Sequence, residues 1–578
     1  MEEITVFDGN KETRARTVAI GVQDFETLIQ NDCFYVDKTG FIKEWWESRD
    51  AVTLIARPRR FGKTLNMNML ERFFSIQYEG QGDVFEHLSI WKEEKYRKLQ
   101  GTYPVLFLSL ADIKESNLED AIESIKSNIV SLYNQNRFLL EEGFLNPVEQ
   151  EQFESVTMHM SDVVAAKSIR FLCSYLNKYY QKKVIVLLDE YDTPLQEAYI
   201  KGYWDGMVSF TRSLFNNTFK TNPYLERAVM TGITRVSNTS YEVSESMFSD
   251  LNNLKVVTMT SDNYASYFGF TEAEVFAAMD EFNLTNRDEV RHWYDGFIIG
   301  NLRDMYNPWS IICFLDKRQL KSYWANTSSN GLLSSLIQQG TIEIKEIMEN
   351  LIQGDSLFAE IDEEVVFSQL NTKKNAIWSL MLASGYLKVL NSEFTNHGTF
   401  CYELGITNFE VQVMLRNMIH DWFNNMGNHY NDFIKALLQN DKKAMNYYMN
   451  KVVMQTISYF DTGNKPSDEI EPERFYHGFV LGLMVDLSDQ YHILSNRESG
   501  FGRYDVMLEP IETKQAAYVL EFKVYDSEDE QGLQDTVQSA LEQIQTKQYD
   551  SNLLAKGISP EQIFHYGFAF RGKEVLIG

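Results

Sequence analysis

The chain has 578 residues, 44% of them apolar and 24% charged, with 54 Lys and Arg against 82 Asp and Glu for a formal net charge of −28. This composition excludes a disordered or fibrous chain, and the length allows three or four domains at ~150 residues each. The acid excess argues against a protein that gathers polyanions through its overall field, because phosphate contacts dominate nucleic-acid affinity, but it leaves room for a confined basic channel.

Cys33, Cys173, Cys313 and Cys401 are far apart and form no CxxC pair, so neither a disulfide framework nor a zinc pattern is present. A reducing compartment suits them. The segment MEEITVFDGNKE lacks the basic and apolar regions of a signal peptide, and no run approaches 18 uninterrupted apolar residues. The expectation is a cytoplasmic protein with no membrane association.

Up to about residue 260, short β-rich runs alternate with helix-length segments. FYVDKT (residues 34–39) reads either as a nucleotide contact or as a packed aromatic turn. Runs 52–56, 104–110, 184–188, 228–233 and 255–259 are almost continuously apolar, which predicts a parallel sheet covered on both faces. The first run leads into Arg57, Pro58, Arg59, Arg60, Phe61, Gly62, Lys63 and Thr64, then into the amphipathic LNMNMLERFFS. In a strand, loop and helix of this kind, backbone N–H groups at the helix start hold phosphate oxygens. Gly62 permits close approach, Lys63 reaches the outer phosphates, and the Thr64 hydroxyl suits Mg²⁺. Arg59, Arg60 and Phe61 complete the loop, while Arg57 stands where the full motif begins with Gly.

The third run ends in Asp189 and Glu190, at the strand end where open α/β sheets bind ligands. Asp189 would hold Mg²⁺ through water, and Glu190 would polarise the attacking water. The fourth run ends in Thr231, Thr234 and Arg235. If the sheet follows the additional-strand order of phosphate-loop proteins, it lies between the first and third, where a threonine could sense the γ-phosphate and Arg235 could meet it. The alternative is an ordinary polar strand end. WYDGF and YNPWS, within 291–310, mark a soft boundary. Residues 310–460 show helical periodicity without a strand series, and DTGNKPSDEIEPE (461–473) reads as an exposed connection between domains.

Beyond it, Glu473 and His477 are spaced i,i+4. Glu473 is either an acid belonging to a site on the following strands or a charge that complements the helix dipole. Runs 503–509 and 516–524 read as a hairpin centred near residue 513, which sets Asp505 opposite Glu521. The two-residue period puts Val519, Glu521 and Lys523 on one face. Two carboxylates and a lysine suit metal-dependent phosphodiester cleavage, with Asp505 and Glu521 as Mg²⁺ ligands and Lys523 orienting or activating water. Gln543, Gln545 and Tyr549 fall on a following helix, and a last strand is predicted at 566–570.

RPRRFGKTLNMNML, LLDEYDTPL, VMTGITRVS, WYDGF, YNPWS and YWANTSSN, in this order, resemble the AAA-ATPase-like family of bacterial proteins that carry a C-terminal PD-(D/E)XK nuclease domain. The resemblance implies an ATPase and makes Arg57 a trait of that family's loop. It also implies that Asp505 and the Glu521/Lys523 pair are the D…ExK pattern, with Glu473 as its helix-borne acid. Tyr549 and a glutamine of this helix would steady the site, either Gln545, at i,i+4 spacing from Tyr549, or Gln543 as the alternative.

The expected fold is α/β: a P-loop NTPase parallel-sheet domain over 1–300, a helical middle region with room for a winged-helix part over 301–460, and an α/β restriction-endonuclease-like domain over 461–578. Expected cofactors are ATP and Mg²⁺, and expected partners are nucleic acid, DNA before RNA, and further copies of the chain. Nucleotide state would gate the nuclease. The competing expectation is a non-cleaving ATP-dependent switch that binds a protein partner and keeps the nuclease-like domain as a scaffold. From residue 465 onward ten Lys and Arg face twenty Asp and Glu, so a nuclease here cannot rely on its own field to gather DNA.

Overall fold

The five apolar runs form strands, and the inner ones are buried on both faces, since nothing along them can face water without cost. In the computed structural model, β1 (Val52–Ala56), β2 (Val105–Ser109), β3 (Val184–Asp189), β4 (Leu225–Gly232) and β5 (Leu254–Val257) make one parallel sheet in the order β2-β3-β4-β1-β5. Every residue of β1 and β3 is buried. The structure describes residues 16–578 except 241–242, 247–250, 325–330, 339, 362–363, 367–369, 371–374, 396–398, 425–428, 461–477, 481, 496–497, 500–501, 504, 513 and 528–529. The connection read at 461–473 therefore lies outside the described residues. Among the described residues, no helix is long and apolar enough to cross a membrane.

Because β4 lies between β1 and β3, Thr231 pairs with Ile55 at the C-terminal edge of the sheet. Ile55, Ile185, Leu187, Val229 and Val257 pack with Met67, Leu70, Phe41 and Trp45 into one apolar core. Helix α1 (Lys63–Phe74) contributes Met67 and Leu70, so burial of that face fixes where its N-terminus stands.

Two compact units emerge: residues 1–328 with 357–411, and residues 329–356 with 412–578. The chain leaves the first unit at 328 and returns at 357, which composition does not signal. The 310–460 stretch is largely helical, but it also holds a three-stranded antiparallel sheet of Leu357–Glu360, Leu387–Phe394 and Phe400–Ile406, contrary to the reading without strands. The reason is exposure. The Leu387–Phe394 strand is buried only at its first residue and carries Asn391, Ser392 and Glu393, so it lacks the alternation that marks a half-buried strand.

Within the first unit Glu410 is fully buried. It accepts hydrogen bonds from Ser310 Oγ (2.7 Å), Tyr323 N (2.6 Å) and Trp324 N (2.7 Å). Burial, opposed by these bonds, pushes its carboxyl up to about 7. The unfolded chain gives up this proton more readily, so the contribution is complete below the ordinary carboxylate range and is lost as pH rises through about 7. Glu410→Gln keeps an acceptor for both amides and should flatten that decline. Melting curves near pH 5 and pH 8 check this, and a wild-type Tm that does not fall relative to the variant would contradict it.

In the second unit, β6 (Tyr491–Ser495), β7 (Val506–Pro510), β8 (Ala517–Val524), β9 (Ile563–Arg571) and β10 (Glu574–Ile577) form a mixed sheet in sequence order, antiparallel except for the β8–β9 pair. Parallel pairing needs a crossover, and helix α2 (Leu533–Lys547) lies in it. One face of β8 stacks Phe522 on Phe568 at 4.5 Å between ring centroids. The other face sends Val519 into a core with Met507, Ile544 and Tyr549.

Candidate functional site

The loop after β1 takes two left-handed residues, Arg60 at φ 64° and Gly62 at φ 79°. Gly62 caps α1, and a Cβ there would meet nothing within 4 Å. The glycine is thus needed for its backbone angle, since the neighbouring protein atoms leave room for a side chain. Arg57 is wholly buried. Its backbone N–H donates to Gly232 O at 3.0 Å, and its guanidinium donates to Ala56 O (3.0 Å), Thr258 O (2.5 Å) and Asn263 O (3.1 Å). One side chain thereby ties the base of the loop to the turn after β5. Burial lowers its pKa to about 9.

Lys63 Nζ donates to Arg57 O (3.0 Å) and Pro58 O (2.9 Å), folded back under the loop. Burial lowers its pKa, opposed by Glu190, Asp192 and Asp189. Thr64 Oγ1 donates to Asp189 Oδ2 at 2.7 Å, and Thr231 Oγ1 donates to Asp189 Oδ1. Two strand ends and a helix start therefore converge on one buried carboxylate, which burial pushes upward and the two hydroxyls pull down. Glu190, beside it at φ 50°, donates its backbone N–H to Thr231 Oγ1 (3.2 Å), and its carboxylate accepts from Thr193 Oγ1 (3.2 Å). The half-buried Thr64 hydroxyl at a helix N-terminus and the buried Asp189 carboxylate make a donor set fit for Mg²⁺ with phosphate.

Arg59 Nη2 donates to Gln196 Oε1 (3.0 Å), the Arg60 guanidinium lies 4.5 Å above the Trp309 ring, and Phe61 is buried. Arg235 begins the strand Arg235–Ser240, which pairs with Glu364–Val366 and Val243–Ser246 in a separate sheet, and its side chain is not among those described. FYVDKT proves to be a tie between elements. Lys38 Nζ bonds Glu274 Oε1 and Oε2 (2.7 Å each) and Ser266 O, while Asp37 holds Thr39 N and Ser89 N.

In the second unit, Val506 pairs with Leu520 and Met507 with Val519. One step further along this ladder sets Asp505 beside Glu521, and Asp505 Oδ2 accepts from Phe522 N at 2.8 Å. Glu521 is 3% exposed. Burial, and then the Asp505 charge, push its carboxyl well above the usual range. Gln543 Nε2 donates to Glu521 Oε1 and to Tyr549 OH (3.2 Å), while Glu521 Oε2 is buried with no partner among the described residues. Lys523 Nζ donates to Ser539 Oγ at 3.0 Å.

An orphaned buried carboxylate oxygen beside a second carboxylate fits a divalent cation. Among the described residues, no group of three or more His, Cys, Asp or Glu is placed to hold a metal. Glu473, the third acid expected, lies outside the described residues.

Helix and strand match here by their rises. Four residues of helix advance about 6 Å and two residues of strand about 6.6 Å, so Ser539 and Gln543 can reach Lys523 and Glu521. Gln545 makes no such contact, and Tyr549 lies past the helix, which stops at Lys547 with Gln548 at φ 54°. Close approach depends on Gly567, paired with Glu521: a Cβ there would lie 2.8 Å from Val537 O and 3.0 Å from Ala540 Cβ. Gly567→Val should therefore push α2 off the sheet and cost stability on the scale of an overpacked core, about 1–3 kcal/mol. Denaturant unfolding checks it, and an unchanged midpoint would refute it.

Residues 19–241 match a family model described as "Predicted AAA-ATPase", and residues 471–578 match that of the PD-(D/E)XK nuclease superfamily. This chain joins an AAA-ATPase-like domain to a PD-(D/E)XK nuclease domain. A protein of Azotobacter chroococcum mcd 1, described as "Uncharacterized protein in vnfD 5'region", is 25% identical over 381 residues, which cover 65% of this chain and 64% of that protein. The matched region is thus under two thirds of the relative's length. In the AAA-ATPase-like domain, sequence reasoning passed over Asp192 and Gln196. Asp192 accepts from Ile233 N (2.8 Å) and Thr234 N (3.1 Å), and Gln196 links it to Arg59. In the nuclease domain it passed over Ser539. The i,i+4 spacing of Ser539 from Gln543 was the available signal.

Proposed function

We propose that this protein binds and hydrolyses ATP with Mg²⁺ at the Lys63, Thr64 and Asp189 site. We also infer that it cleaves phosphodiester bonds of nucleic acid, DNA before RNA, with Mg²⁺ at Asp505 and Glu521. The observation that carries the nuclease reading is the β7–β8 register, which brings Asp505 to Glu521 with Lys523 two residues on. The metal would supply charge stabilisation at the scissile phosphate. Lys523, steadied by Ser539, would orient or activate water, and Gln543 with Tyr549 would hold the Glu521 carboxylate in place. In the ATPase domain, Glu190 would polarise the attacking water and Thr231, already bonded to Asp189, would respond to the γ-phosphate. Arg59 to Gly62 would line the phosphates and Arg235 would meet the terminal one. Glu473 would complete the nuclease acids.

Nucleotide state would gate cleavage in a cytoplasmic homo-oligomer, which would also supply the positive surface that the acidic nuclease domain lacks. The test is cleavage of single- and double-stranded DNA and RNA with Mg²⁺ by the full chain, Asp505→Ala and Lys523→Ala. Cleavage by the wild type that both variants lose supports the reading. Equal background from all three leaves the switch-and-scaffold alternative, which the net charge of −28 favours.

A further inference from the structure

The aromatic motifs after the parallel sheet take no part in the chemistry above, yet they pack against the phosphate-binding loop. Phe61 meets Phe297 at 4.9 Å between ring centroids, Phe297 meets Trp324 at 5.7 Å, and Trp324 meets Tyr386 at 5.3 Å. Phe61 and Phe297 are each 1% exposed. Gly385, at φ 83°, brings backbone so close that a Cβ would lie 2.8 Å from Pro58 Cγ and 2.9 Å from the Phe297 ring. On the loop's other arginine, the Trp309 ring lies under the Arg60 guanidinium, and Asn307 Nδ2 donates to Arg59 O at 3.4 Å. Glu410 anchors this layer by accepting from Trp324 N and Ser310 Oγ. All the bracing residues lie beyond 241, outside the match to the AAA-ATPase family model.

A left-handed backbone at Arg60 is unfavourable for a residue with a side chain and persists only where its surroundings over-determine it. In this loop the determination comes from outside: an aromatic socket grips Phe61 and a ring holds Arg60. We propose that Phe297 and Trp309 are positioning residues of the nucleotide site. Phe297 acts through Phe61 and Trp309 through Arg60, and together they hold the loop with its amide groups presented before nucleotide arrives. The inference rests on the ATP-binding reading. Its consequence is specific: without the brace, ordering the loop is charged to binding, whereas Thr64, Asp189 and Glu190 keep their own contacts once nucleotide is held.

The test is steady-state ATP hydrolysis by the full chain as wild type, Phe297→Ala, Phe297→Tyr, Trp309→Ala and Trp309→Phe, with circular dichroism on each. Both alanine variants should raise KM for ATP about 10-fold with kcat within about 2-fold, and the aromatic replacements should restore KM to within about 3-fold. Trp309 is partly exposed, so Trp309→Ala decides the matter if Phe297→Ala does not fold. An unchanged KM in Trp309→Ala, or a loss confined to kcat, overturns the brace while wild-type turnover keeps the ATPase reading intact. A wild type that neither binds nor hydrolyses ATP overturns that reading and the brace with it.

Discussion

Glu521→Gln is expected to lower metal-dependent cleavage about 10³-fold while leaving ATP hydrolysis at the wild-type rate, because a ligand that places charge at the scissile phosphate acts mainly in the transition state. The amide is isosteric, can still accept from Gln543 and stays in the same buried position. Burial and Asp505 hold the Glu521 carboxyl above its ordinary range, so ionising it costs the folded state. Stability attached to Glu521 is complete at low pH and falls away as pH climbs through its raised pKa. The variant should therefore match or exceed the wild-type Tm, with the gap widening at alkaline pH. Loss of cleavage alongside unreduced stability would mark a functional carboxylate, since a purely structural one would lose stability first. Plasmid and oligonucleotide cleavage with Mg²⁺ or Mn²⁺, paired with melting curves, measures both. Retained cleavage would remove Glu521 from the mechanism.

Lys63→Met is expected to reduce kcat/KM for ATP about 10³-fold, since phosphoryl transfer depends almost wholly on positioned charge. The Lys63 ammonium is buried and in this structure sits on two loop carbonyls, Arg57 O and Pro58 O. Burial lowers its pKa, and the charge of bound phosphates would favour its protonated form again. Methionine keeps the apolar stem but leaves those carbonyls without a donor, so some loosening of the loop should accompany the loss. Phosphate release measures the effect. If nucleotide gates cleavage, the same variant should also show nuclease activity indifferent to ATP. A variant whose cleavage still responds to ATP would separate the two activities.

The two sites differ in how far local spacing could define them. Lys63, Thr64, Asp189 and Glu190 were legible because each chemistry-bearing residue sits at a strand end or helix start marked by its own apolar run. Their convergence still needed the strand order, and Thr231 reached Asp189 because β4 inserts between β1 and β3. The Asp505–Glu521 pairing was legible from the two-residue period and a turn. Tyr549 was misplaced on the helix because Gln548 turns left-handed there, a stop that carries no glycine to announce it. The Leu387–Phe394 and Phe400–Ile406 hairpin was missed because its outer half faces water and buries too little to leave a pattern.

By itself, then, the sequence determined most of the elements and pointed to kinds of chemistry: an acidic α/β chain, a strand–loop–helix through Gly62, Lys63 and Thr64, a carboxylate strand end, and an ExK strand with an acid before it. These are set by neighbours within a few residues, where backbone period and side-chain type suffice. Only the tertiary structure decided that Arg57 holds backbone carbonyls, that Glu410 anchors the aromatic layer, that Phe297 and Trp309 meet the loop after β1, and that Ser539 holds Lys523. Each of these joins residues brought together by burial and close packing, and long-range contacts of that kind leave no period in the chain.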